Sequence, residues 1–235
     1  MFAVSGLIVG MVTAPADAAV RHAAPADSGK HAVPGDFDGD GRSDLAIGVP
    51  GTNTVRVSYT HAKPHGSSTV NLKPGAQAKK NMNFGTTLAT GDVNGDGYAD
   101  LAVAAPQFTN KKYVGAVFVF EGSAAGLRPT PQVIVDRTPK DSDIDSVNEL
   151  AETIGDANGD KYADLVTASS AGVFVFHGSA HGVHAADKTK VNVSDGESVA
   201  LADVNGDGHP ELVVGRSIGG IKNHGDVYGE IDIFK

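Results

Sequence analysis

One acidic motif occurs four times along this chain, and its period limits what the chain can fold into. It reads GDFDGDGRSDLAIGVP at 35–50, GDVNGDGYADLAVAAP at 91–106, GDANGDKYADLVTASS at 155–170 and ADVNGDGHPELVVGRS at 202–217. The leading aspartates, Asp36, Asp92, Asp156 and Asp203, stand 56, 64 and 47 residues apart. Such a period holds one supersecondary unit, which cannot bury its apolar surface alone and must stack on its neighbours. A second element keeps step with the first: AVFVFEGSAAGL at 116–127 is echoed by GVFVFHGSAHGV at 172–183, and more weakly by TVRVSYT at 54–60 and EIDIF at 230–234.

The segments DLAIGV, DLAVAA, DLVTAS and ELVVGR are short, rich in β-formers and bounded by Gly or Pro, which predicts strands. Further strands are predicted at 68–73, 131–136 and 190–195, and no window carries a helical stripe. The chain is therefore expected to be all-β, with repeats at about 35–83, 84–147, 148–194 and 195–235. Each repeat should supply three or four antiparallel strands, the acidic loop joining the first two, stacked radially as propeller blades or linearly as a solenoid. The small residues in LAIG, LAVAA and LVTA suit a crowded inner strand near a propeller axis.

Within each copy, oxygen-bearing residues recur at positions 1, 3, 5, 7 and 9. The first loop offers Asp36, Asp38, Asp40, the Arg42 carbonyl and Asp44, and the second Asp92, Asn94, Asp96, the Tyr98 carbonyl and Asp100. The third offers Asp156, Asn158, Asp160, the Tyr162 carbonyl and Asp164; the fourth, Asp203, Asn205, Asp207, the His209 carbonyl and Glu211. Ca²⁺ takes six to eight hard oxygens, and alternate residues of a tight turn can aim them at one point while Gly at position 6 makes the bend. Carboxylates this close repel one another unless a cation neutralises them. An EF-hand would need Glu at position 12, where this chain has Ile47, Val103, Thr167 and Val214. Up to four Ca²⁺ ions are expected. The third loop should be weakest, because Lys161 replaces the position 6 glycine and brings a positive charge.

Those loops hold thirteen of the chain's 28 acidic residues, so the net charge of −9 belongs mainly to the sites. A nucleic-acid partner is disfavoured by that charge, and the absence of cysteine excludes disulfides and thiolate metal sites. Residues 1–18 read as a signal peptide, apolar from Phe2 to Val12 and ending in Ala16-Asp17-Ala18. Residues 19–34 read as a flexible lead-in and 35–235 as the repeat domain. No segment is long and apolar enough for a membrane span. A secreted or cell-surface location follows.

Phe84-Gly85 followed by GDVNGDGYADLAVAAP and VFVF resembles the FG-GAP repeat, the unit of the integrin α-subunit propeller and of bacterial VCBS-type proteins. The resemblance spans roughly 33–234 and implies a β-propeller with calcium in the loop between the first two strands of each blade. Family propellers generally close with seven blades, whereas this chain has four repeats. A closed small propeller, a partial one completed as a homo-dimer by a second subunit, and a shortened product of a longer gene all remain open. Gly215-Arg216-Ser217-Ile218-Gly219 fits G-x-S-x-G, but no helix can follow it. His177, His181 and His184 fall in a loop after a strand, with no Glu-bearing helix to make a zinc site, and Asn192-Val193-Ser194 is a glycosylation sequon. The function expected is a non-catalytic extracellular binding or adhesion module for a protein or glycan ligand. The alternative is an accessory or shortened propeller part of a secreted hydrolase.

Overall fold

The computed structural model describes residues 32–60, 69–109, 113–139, 150–169, 172–193, 196–218 and 228–234. The proposed signal peptide and nearly all of the lead-in lie outside these residues, as does Ser194 of the sequon. Among the described residues fourteen strands form four antiparallel sheets, and the only helical elements are two three-residue 3-10 turns. The first sheet holds β1 (Leu45–Val49), β2 (Thr54–Ser58) and β3 (Thr69–Leu72). The second holds β4 (Leu88–Gly91), β5 (Asp100–Thr109), β6 (Tyr113–Phe120) and β7 (Gln132–Pro139). The third holds β8 (Ala151–Gly155), β9 (Asp164–Ser169), β10 (Gly172–Phe176) and β11 (Lys188–Val191). The fourth holds β12 (Gly196–Ala202), β13 (Glu211–Ile218) and β14 (Tyr228–Phe234). In each sheet the strands follow chain order, so every repeat is a meander and the fold is a row of four propeller-type blades.

The acidic loops join β4 to β5, β8 to β9 and β12 to β13, as the spacing predicts; the first loop leads straight into β1. One strand is displaced from its expected place. Pairing of Lys188 with Phe176 and of Val191 with Val173 sets β11 at 188–191 rather than 190–195. The reason is amphipathic lysine: the Lys188 Nζ lies 4.3 Å from the Phe174 ring centroid, so charged residues cover an aromatic face that alternation assigned to apolar ones. The small-residue segments LAVAA and LVTA lie on the second strand of their four-stranded sheets, the strand that follows the acidic loop. Their smallness answers the close approach of neighbouring sheets.

Alternation decides which sheet each side chain meets. In β5 and β6, Leu101, Val103, Phe118 and Phe120 join Phe37, Val55 and Val57 of the first repeat in one buried core. Ala102, Ala104, Val117 and Val119 point the other way and share a second core with Ile154, Leu165 and Phe176 of the third sheet. These strands are apolar at consecutive positions because both faces are covered. A third core sets Val166, Ala168, Val173 and Val175 against Leu201, Leu212 and Val214. Edge-to-face contact between Phe84 and Phe118, both of the second repeat, with centroids 5.3 Å apart at 85°, adds about 0.5–1.5 kcal/mol within that repeat's side of the first core. None of the three cores joins the fourth sheet to the first, so among the described residues the row is open.

Backbone contacts fix the spacing between blades. Ala99 N–H donates to the Asp36 carbonyl at 2.9 Å, and Ala163 N–H to the Asp92 carbonyl at 3.0 Å. At the third junction the equivalent residue is Pro210, which has no N–H to give. Gly85, of the Phe-Gly pair, passes so close to β1 that a Cβ on Gly48 would lie 1.9 Å from its carbonyl oxygen. Gly48→Ala must therefore push two blades apart. Overpacking of this kind costs about 1–3 kcal/mol or more, and the melting temperature should fall by roughly 3–10 °C. An unchanged melting curve would contradict this packing.

Candidate metal centres

Each acidic loop folds on its own side chains. The position 1 carboxylate accepts backbone N–H groups from positions 5 and 6: Asp36 from Asp40 and Gly41 at 3.0 and 2.8 Å, Asp92 from Asp96 and Gly97 at 3.1 and 2.8 Å. Asp156 holds Asp160 and Lys161, and Asp203 holds Asp207 and Gly208, in the same way. Position 3 accepts from the N–H of position 5, and position 5 from that of position 7, giving successive Asx turns in all four copies. Both position 4 and position 6 need a positive φ: 69° at Gly39 and 85° at Gly41 in the first loop. Lys161 holds position 6 of the third loop at 78°, the strained conformation its Cβ opposes.

This folding brings the predicted ligands of the first loop together. Asp36, Asp38 and Asp40 each present a carboxylate oxygen, all within 4.8 Å of one another, and the first two are buried. In the other loops position 3 is Asn, whose amide donates to the position 5 carboxylate: Asn94 to Asp96 at 3.2 Å, Asn158 to Asp160 at 3.0 Å, Asn205 to Asp207 at 3.1 Å. Those loops relieve part of their own repulsion, whereas Asp38 has no amide to offer. The donor set of the first loop, three converging hard oxygens, fits a divalent cation such as Ca²⁺.

Position 9 does something the spacing did not reveal. The wholly buried Asp100 accepts Val93 N–H at 2.9 Å from the start of its loop and Gly122 N–H at 2.8 Å from the turn after β6. Asp164 does the same with Ala157 and Gly178, and Asp44 with Phe37 and Thr60. Glu211, longer by a methylene, keeps the equivalent Val204 N–H but takes the Asn205 side-chain amide as its second donor. Position 9 thus braces the loop against its own sheet, while its remaining lone pairs stay able to face a cation. The signal for this was the recurring Gly-Ser of FEGSAAGL and FHGSAHGV, whose glycines supply the second N–H. The position 4 glycines were also missed, although they recur in all four copies. They admit the position 7 side chain of the next repeat: a Cβ on Gly39 would lie 2.5 Å from the Tyr98 ring, and one on Gly95 2.8 Å from that of Tyr162.

Burial sets the electrostatics. Desolvation pushes the Asp100 carboxyl up to about 8 against its two backbone hydrogen bonds, with Asp92 and Asp96 raising it further. Asp44 is pushed up to about 6, again chiefly by burial and then by Asp38 and Asp36. Asp92 and Asp164 are raised for the same first reason, and His177, its Nδ1 3.6 Å from Asp164, partly offsets the effect there. His177 does not join the other two histidines. His181 and His184 line a shallow cleft of about 610 Å³ with Glu121 and Arg128. The G-x-S-x-G segment supplies no nucleophile elbow, since residues up to Ile218 run straight in β13, paired with β14.

Residues 28–60 and 84–120 match the family model of the FG-GAP repeat, and 156–214 that of the FG-GAP-like repeat. The chain is an FG-GAP repeat protein. Its FG-GAP repeats are 33% identical to integrin alpha-PS2 of Drosophila melanogaster over 165 residues, 64% of this chain and 11% of that one. They are 28% identical to integrin alpha pat-2 of Caenorhabditis briggsae over 181 residues, 68% and 14% of the two chains. Against human integrin alpha-IIb the identity is 35% over 115 residues, 43% and 11% of the two. The FG-GAP chain thus spans about a tenth of the length of the integrins it matches.

Because these carboxyls sit above their ordinary value in the folded chain, the stability they contribute is present below about pH 4 and is lost as pH rises through 6 for Asp44 and 8 for Asp100. Calcium-free protein should therefore melt at progressively lower temperature between pH 4 and 8, and saturating calcium should flatten that slope. A chelated chain that gains stability over this range would contradict the assignment.

Proposed function

We propose that this chain is a secreted, calcium-stabilised β-propeller module that binds an extracellular protein or glycan and has no catalytic role. The observation that carries the reading is the meeting of the Asp36, Asp38 and Asp40 oxygens within 4.8 Å on a loop already held open by its backbone. The loops at Asp92–Asp100, Asp156–Asp164 and Asp203–Glu211 repeat that backbone and take calcium in the same way, the third most weakly. Likeness to integrin α subunits supports an adhesion-type role, and secretion accords with the apolar leader. Among the described residues no helix is long and apolar enough to cross a membrane.

Calcium here acts on the fold. A bound ion neutralises the loop, ties positions 1, 3 and 5 to the brace at position 9, and so holds the turns after the third strand, such as Gly122, in place. Loops that join the third and fourth strands of a blade, including the one carrying Glu121 and Arg128, present the ligand-facing surface.

Each ion that binds only the folded chain stabilises it by about 2.7 kcal/mol at a hundredfold excess over its Kd, or roughly 5–10 °C in melting temperature for a domain of this size. Calcium should raise the melting temperature of the wild-type chain by at least that amount. Asp36→Ala and Asp96→Ala should each remove about one such increment, and Asp160→Ala much less. Equal losses from all three, measured by thermal unfolding with and without calcium, would refute the ranking of the loops.

A further inference from the structure

The three internal junctions define what the leading face of a blade is for. Alternate residues of its second and third strands pack on the next blade: Val117 and Val119 in the second sheet, Val173 and Val175 in the third, all nearly or wholly buried. Strand register places Ile231 and Ile233 of β14 at the same positions, since Phe234 pairs with Leu212 as Phe120 pairs with Leu101 and Phe176 with Leu165. They are 70% and 57% exposed. The acidic loops show the same contrast. The position 2 side chains Phe37 and Val93 are buried in junction cores, whereas Val204 is 53% exposed. Gly39 and Gly95 lie under the next repeat's tyrosine, whereas Gly206 has nothing within 4 Å of its missing Cβ.

Among the described residues the opposite face is open at the other end of the row. Leu101, Leu165 and Leu212 are buried against the preceding blade, but Leu45, which occupies their position in the first sheet, is 40% exposed. The position 7 side chain there, where Tyr98 and Tyr162 cover a glycine, is Arg42, exposed and cationic. We infer that the free face of the fourth blade docks the first blade of a second copy of this chain. Leu45 then meets the row of Ile231 and Ile233, and Arg42 lies over Gly206, the place that Tyr98 and Tyr162 take over Gly39 and Gly95. Arginine can lay its aliphatic stem over that glycine as the tyrosine rings do at the internal junctions, with its guanidinium left at the solvent edge. Two copies of the four described blades, joined head to tail at both junctions, would bring eight together, within the four to eight that propellers use.

The experiment is light scattering on the purified full chain in calcium, with ion content measured separately so that loss of pairing and loss of calcium are told apart. The wild-type chain should run at twice its own mass. Ile231→Asp and Leu45→Asp should each weaken pairing at least a hundredfold, leaving single chains with unchanged circular dichroism, since both side chains project from the surface. An equimolar mixture of the two variants should recover a two-chain species at high concentration, held by the one junction that neither substitution touches. A wild-type monomer, a dimer indifferent to both substitutions, or a mixture that stays monomeric would each overturn the inference.

Discussion

The buried carboxylate at position 9 is the interaction on which the rest of this structure depends. Asp100 and Asp164 sit wholly inside the protein, each accepting two backbone N–H groups, one from its acidic loop and one from the turn beyond the third strand. Two hydrogen bonds offset part of the cost of burying the group, and the raised carboxyl of Asp100 shows that they do not offset all of it. A cation in the loop would supply the remainder. Loop, sheet and metal are on this account one unit, which explains why the same spacing is kept in four copies whose lengths otherwise differ.

That unit also carries the contact between blades. Position 1 offers its carbonyl to the next repeat, position 2 fills the junction core, position 4 is glycine under the next repeat's position 7 aromatic, and position 9 anchors the turn. The acidic loops therefore join neighbouring sheets as well as gathering hard oxygens. The fourth repeat departs most: Pro210 cannot make the backbone stitch, Glu211 replaces the aspartate brace, and its leading face is exposed. That exposed apolar face is the one inferred above to dock a second copy.

Much of this was legible in the residues, because the repeats announce themselves. The strand-forming runs after each acidic loop, the VFVF strands and the loop positions follow from periodicity and from the chemistry of hard oxygens. The brace at Asp100 was not legible as such, since its second partner, Gly122, stands 22 residues away and a ligand and a hydrogen-bond acceptor call for the same carboxylate. The place of β11 was missed because lysine stems do apolar packing that hydropathy does not register. The open ends of the row were beyond local pattern altogether: Ile231 and Val117 look alike in sequence, and only the register shows that one is covered and the other is not.

The central claim is that the acidic loops are built around calcium, and counting the ions tests it most directly. A native mass spectrum of the calcium-loaded chain, repeated after chelation, should show two to four calcium ions per chain that the chelator removes. A chain that carries none under the same conditions would mean that the loops are self-sufficient Asx turns, and the functional account built on them would fall.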